Sequence, residues 1–230
     1  ERFLYDSSAL DAITEETINS YENYTIEKIT FIAAYGNDRV IAYLFLPDNS
    51  SPPFQTLIFY PGLNALAETN LIRSIETKWL TDYLVKNGRA VMCPVYKGTF
   101  DRINDKERAV LRGRQLNDWI IKWVRDFSRT VDYLETRTDI DKNKIGFYGS
   151  SWGGAMGGII PAIEDRLKVN ILQYHLGPDL DLLDEELARR EGDQRQLGHR
   201  DAVLLLGRAQ DGEVDKVDRG VGLQKVPPGA

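Results

Sequence analysis

Cysteine occurs once and histidine twice in the 230 residues, and both scarcities restrict the available chemistry. A single cysteine excludes an internal disulfide. Its setting in Ala90-Val91-Met92-Cys93-Pro94 reads as a buried structural thiol rather than a reactive one. No His/Cys/Asp cluster has metal-ligand spacing and no glycine-rich phosphate loop occurs, so neither a metal nor a cofactor is expected. Apolar runs of about 18 residues are also missing, as is a signal-peptide core, so no membrane partner is expected and a cytoplasmic location is favoured. The chain lacks an initial methionine, which reads as a fragment or processed form, part of a larger multidomain protein. Dense Lys/Arg clusters are absent. With a net charge of −6 and a pI near 5.1, this argues against a nucleic-acid partner.

What is present is an ordinary globular composition, 42% hydrophobic and 28% charged, enough for one sizeable core. Thr25 to Tyr35 and Arg39 to Leu46, separated by Gly36-Asn37-Asp38, predict an antiparallel hairpin opening the domain as two edge strands. Thr56 to Tyr60, Ala90 to Pro94, Lys144 to Tyr148 and Lys168 to Tyr174 predict buried strands. Between them, Ile72 to Lys86 has helical spacing, with Ile75, Leu80, Tyr83 and Leu84 on the buried side. Leu116 to Glu135 places Trp119, Ile120, Trp123, Phe127, Val131 and Leu134 on one helical stripe. Strands alternating with helices after a hairpin predict an α/β three-layer architecture with a mostly parallel sheet.

A second absence divides the chain. Residues 178–230 contain no Phe, Tyr, Trp, Ile, Ser, Thr or Asn, although aromatics make up 10% of the whole. Apart from a charged helix at Asp181 to Arg190 and a short strand at Ala202 to Leu206, this part reads as loop or disorder, a divergent, truncated or frame-shifted terminus. The expected organisation is therefore a core at residues 1–177 and an atypical segment at 178–230.

The motif that carries chemistry is Gly149-Ser150-Ser151-Trp152-Gly153, which fits G-x-S-x-G between a predicted strand and a small-residue, helix-length apolar run from Gly154 to Ile160. A serine hydroxyl is a weak nucleophile near neutral pH. A sharp strand-to-helix turn exposes it to a base, and glycines on both sides relieve the steric cost. Ser151 is the candidate nucleophile; Ser150, one residue earlier, has the wrong relation to the glycines. The alternative is a Gly/Ser-rich turn without chemistry.

Tyr60-Pro61-Gly62-Leu63, together with the segment from Val131 through Asp139-Ile140-Asp141-Lys142-Asn143-Lys144-Ile145-Gly146-Phe147-Tyr148 to Gly154, resembles the α/β-hydrolase superfamily, in its dienelactone-hydrolase, acetyl-xylan-esterase and prolyl-oligopeptidase-like branch. Ala33 to Gly36, Val40 to Pro47 and Pro94 to Thr99 are also similar to hydrolase domains at the C-terminus of some bacterial serine/threonine kinases. The resemblance implies a three-layer α/β/α sandwich whose C-terminal strands are incomplete here. It implies hydrolysis of a small-molecule ester or a peptide through a Ser151 acyl-enzyme, with the backbone N–H groups of Trp152 and Leu63 as the oxyanion hole. The superfamily's order is Ser, then acid, then His. Asp211, in the loop after Val203 to Gly207, matches the acid, but no histidine follows it. His175, after the strand Lys168 to Tyr174, and His199, placed at the opposite edge of the sheet from Ser151, are the candidate bases. A serine hydrolase, a non-catalytic binding or regulatory module on the same scaffold, and an inactive fragment all stay open.

Overall fold

A computed structural model describes residues 3–5, 9–21, 23–102, 115–175 and 201–207. Eight strands form one sheet: β1 (Ile13–Tyr21), β2 (Tyr24–Ile32), β3 (Arg39–Pro47), β4 (Phe54–Tyr60), β5 (Ala90–Val95), β6 (Ile140–Ser150), β7 (Val169–His175) and β8 (Asp201–Gly207). Their order is β1-β2-β3-β5-β4-β6-β7-β8. The pairings make β2, β4, β5, β6 and β7 run in one direction and β1, β3 and β8 in the other. The centre, β5-β4-β6-β7, is wholly parallel, so the C-terminal ends of these four strands share one edge.

Two-residue alternation in the strands explains why helices cover both faces. On one face, Ile58, Tyr60, Met92 and Phe147 pack under α2 (Gln115–Thr136), whose Trp119, Trp123, Phe127, Val131 and Leu134 are all buried. On the other, Leu57, Phe59, Val91 and Cys93 pack with Leu80, Leu84 and Val85 of α1 (Ile75–Lys86). Fully burying one such apolar side chain stabilises the fold by about 2 kcal/mol, so the α2 stripe is a main anchor of its layer. The layered, mixed sheet with mostly parallel strands is the architecture predicted from the alternation of elements.

Three local expectations need correction. The opening is a three-stranded antiparallel unit, and β3 is interior, between β2 and β5, because β1 takes the edge. Strand β1, ITEETINSY, lacks an apolar face and is largely exposed, so no buried period betrays it. Helix α1 begins at Ile75 rather than Ile72, and Tyr83 is 65% exposed instead of buried. The run after the elbow is two short helices, α3 (Trp152–Met156) and α4 (Ile160–Ile163), rather than one. Gly157 ends α3, and a Cβ there would collide with Leu172 of β7, so close packing on the sheet decides where the chain turns.

Strand β8, the predicted Ala202 to Leu206 run, pairs antiparallel with β7 from His175↔Asp201 to Val169↔Gly207. It thus extends the sheet past residue 177. His199, Asp211, the Asp181 to Arg190 helix and the remainder of 178–230 lie outside the described residues.

Candidate active site

Ser151 sits between the end of β6 and the start of α3 with φ 51° and ψ −109°. A non-glycine residue there carries about 1–3 kcal/mol of backbone strain, which persists only where neighbours fix the chain. The neighbours are identifiable. Ser151 N–H donates to the Gln173 carbonyl of β7 at 2.8 Å, and the Ser151 carbonyl accepts from Ala155 N–H at 3.2 Å. The two glycines have distinct steric jobs. A Cβ on Gly149 would strike the Gly153 backbone, and a Cβ on Gly153 would strike the Tyr60 carbonyl at the end of β4. The motif spacing therefore reports one fact: α3 lies directly against the ends of β6 and β4. Ser151 is exposed at the apex while Ser150 is buried at 2% in the sheet, so the two adjacent hydroxyls face different surroundings.

The β4 end supplies the opposing wall. After Tyr60 and Pro61, Gly62 leads into a 3-10 turn, Leu63–Leu66, and Leu63 is 55% exposed. Among the described residues, neither Leu63 N–H nor Trp152 N–H donates to a protein acceptor, as expected for groups at the first position of a helical turn. Beneath them lies an aromatic floor. Tyr60 stacks on Tyr96 at 4.1 Å and meets Trp123 edge-on at 6.5 Å, and Trp152 meets Trp123 edge-on at 6.2 Å. The Trp152 indole N–H is turned toward the Tyr60 hydroxyl without reaching hydrogen-bond geometry. Burial pushes the Tyr60 and Tyr96 phenols well above their ordinary range, so both stay neutral.

The base candidates divide by strand direction. His175 ends β7 two residues beyond Gln173, the residue paired with Ser150, so its backbone reaches the same sheet edge as Ser151. Because β8 is antiparallel, Asp201 begins opposite His175 at this edge. The expectation that the start of this strand lies at the far edge from Ser151 is thus corrected; it assumed a parallel strand. Gly207, the last residue of β8, lies opposite Val169 at the other edge. The His175 side chain lies outside what the structure describes, and none of the described side chains hydrogen-bonds the Ser151 hydroxyl.

Beside the site, the segment after β5 is locked by charge. Asp126 of α2, fully buried, accepts from Arg102 Nη1 at 2.8 Å, Tyr35 Oη at 2.8 Å and Lys97 N–H at 3.0 Å. Arg102 also reaches the Val95 carbonyl and Asp38, which pairs with Lys97 Nζ at 2.9 Å. Burial raises the Asp126 carboxyl, opposed by the Arg102 guanidinium and the Tyr35 hydroxyl. Burial would lower Arg102, but the Asp126 and Asp38 carboxylates and Tyr35 outweigh it and hold the guanidinium charged. Sequence reasoning missed Gln173, Asp126 and the site role of Tyr60. Gln173 acts through its backbone, and Asp126 lies on the helical stripe side of α2 where a carboxylate was an available but unread signal.

A groove of about 320 Å³ lies elsewhere, lined by Gln55, Thr56, Leu57, Arg89, Lys144, Lys168, Val169 and Ile171 at the starts of the parallel strands. It is at the opposite sheet edge from Ser151. No cluster of three or more His, Cys, Asp or Glu side chains among the described residues could hold a metal, and no described helix is long and apolar enough to cross a membrane.

No family model matches the chain. Over 178 residues, 73% of this chain and 59% of the other, it is 25% identical to the Bacillus subtilis (strain 168) protein named "Putative hydrolase YtaP". Acetyl xylan esterase 1 from Thermoanaerobacterium sp. JW/SL YS485 superposes with a TM-score of 0.55 at 16% identity, covering 71% of this chain and 52% of that one. An acetyl xylan esterase from Paenibacillus sp. R4 gives 0.53 at 18% identity, covering 70% and 52%. The chain thus spans about half the length of these esterases and 59% of the curated relative. Strand order, elbow and these likenesses together make the chain an α/β-hydrolase-fold protein whose structural neighbours are esterases.

Proposed function

We propose that the chain is a serine hydrolase that cleaves a small-molecule ester or a peptide bond through an acyl-enzyme on Ser151. The observation that carries this reading is the backbone of Ser151, at φ 51° and ψ −109° with its side chain exposed, held between glycines that admit no Cβ. Strain of this kind concentrates where geometry serves chemistry. In the reaction, Ser151 Oγ bonds to the substrate carbonyl carbon and gives its proton to a base, the base returns it to the leaving alcohol or amine, and water repeats the sequence to release the acid. The backbone N–H groups of Trp152 and Leu63 receive the oxyanion, each worth about 3 kcal/mol in the transition state. His175 is the favoured base because the end of β7 adjoins the elbow, and His199 is the alternative; Asp211 follows a strand that ends at the edge away from Ser151, so its assignment as the acid rests on the resemblance alone. Carboxylic ester hydrolysis is the preferred chemistry, in line with the esterases the fold resembles.

A fluorophosphonate probe tests this. Labelling that is lost in Ser151→Ala and kept in Ser150→Ala is expected, with ester turnover falling about 10⁶-fold in the first variant. Folded wild-type protein that takes no label sinks the proposal. A second reading, a non-catalytic module on the same scaffold, is kept open by the scarcity of bases, since the chain has two histidines and none follows Asp211. Under it, wild type stays unlabelled, and His175→Ala and His199→Ala change nothing.

A further inference from the structure

Trp123 is 2% exposed and lies on the stripe that sequence alone assigns to the core. Its contacts are more specific than packing requires. Its indole N–H donates to the Lys97 carbonyl at 2.8 Å, while Lys97 N–H donates to Asp126 at 3.0 Å. Trp123 and Asp126 are three residues apart on α2, so adjacent positions on one helix face grip both backbone groups of one loop residue. The same indole meets Trp152, next to Ser151, edge-on at 6.2 Å and 79°, and Tyr60 edge-on at 6.5 Å and 80°. Gly98, at φ 76°, has no room for a Cβ against Trp119, so the loop after β5 is pressed onto α2 beside this contact.

We infer that Trp123 is a positioning residue for the oxyanion donors. This rests on the reading of Ser151 as nucleophile. Trp123 packs on Trp152, the first residue of α3, and on Tyr60, the last residue of β4 and three residues ahead of Leu63, and is itself fixed by its bond to Lys97. Displacing the ring shifts Trp152 and the Tyr60-Pro61-Gly62-Leu63 turn together. A donor must aim at the place where charge develops, not where the substrate carbonyl starts, so misplacement lowers the chemical step more than binding.

The test is Trp123→Phe, which keeps an aromatic ring and removes the bond to Lys97. The second-order rate of fluorophosphonate labelling and kcat for p-nitrophenyl acetate are each expected to fall about tenfold or more, with KM within twofold. A folded variant that labels and turns over within threefold of wild type overturns the inference while leaving the Ser151 reading intact. Wild type that takes no label overturns the Ser151 reading and the positioning role with it. Should the variant not fold, wild type carrying 5-fluorotryptophan gives the answer instead. The Trp123 resonance, assigned by elimination among the four tryptophans, is expected to shift when Ser151 is phosphonylated, and an unmoved resonance overturns the role.

Discussion

The elbow around Ser151 and the cluster around Asp126 adjoin the same sheet edge, but opposite forces hold them. At the elbow the fixing contacts are backbone against backbone, Gly149 against Gly153 and Gly153 against the Tyr60 carbonyl, with no charged group taking part. Around Asp126 the contacts are charge-assisted hydrogen bonds from Arg102, Tyr35 and Lys97 in a fully buried setting. The first arrangement fails when an atom is added. The second fails when a charge is taken away. Strain at Ser151 can be sustained because its walls are rigid, whereas the loop after β5 makes turn bonds of its own, from Thr99 N–H to Tyr96 and from Arg102 N–H to Thr99, and is tied to α2 by side chains.

Removing the Arg102 charge is expected to have the largest effect on stability. Arg102→Met leaves Asp126 buried without its cation, a loss of about 3–5 kcal/mol in urea unfolding. The comparison sharpens with Arg102→Met/Asp126→Leu, which is expected to recover at least half of that loss because the uncompensated charge is gone. If the double variant is no better than the single one, the cluster acts through shape rather than charge. Next comes Gly153→Ala, expected to cost about 1–3 kcal/mol. Labelling of Ser151 should slow by about 100-fold, since a small displacement at a reacting centre has that effect. Wild-type labelling in Gly153→Ala would break the steric account of the elbow.

The smallest effect concerns a third cluster, remote from both. Arg137 bonds Asp139 at 2.6 Å, which holds that carboxyl below its usual range, with the Arg137 charge adding to the effect and burial opposing it. A carboxylate depressed in the folded state contributes stability above its unfolded pKa of about 3.9 and loses it as pH falls through the lower folded value. Arg137→Gln should therefore flatten the acid side of a stability profile below about pH 4 and leave the elbow and the Asp126 cluster unaffected. A profile that keeps its acid slope in the variant would place the effect in another carboxylate.

The alternation of apolar strands and the stripe on α2 made the layered sheet legible, because burial repeats at periods that a sequence displays. The elbow was legible for a related reason: its glycines are demanded by local close approach, so spacing alone records it. Strand β1 was not, since an exposed edge strand has no buried face to imprint a period. Trp123 read as core and is core, but nothing in a helical stripe tells which ring touches the loop after β5. The direction of β8 was likewise hidden. An apolar run of five residues looks the same parallel or antiparallel, and the expected location of its start followed a parallel assumption that the pairing with β7 reverses.

By itself the sequence determined where the chain turns at Gly149 to Gly153, which residue stands at the apex, and that helices lie on both faces of a sheet. These depend on neighbours within a few residues or on a repeat along one element. Only the tertiary structure decided that Gln173 fixes Ser151, that Trp123 bridges three segments around it, and that Asp126 closes the loop beside it. Those partners are separated in sequence by tens of residues. Their contacts depend on the order and direction in which strands pair, and no local pattern encodes that.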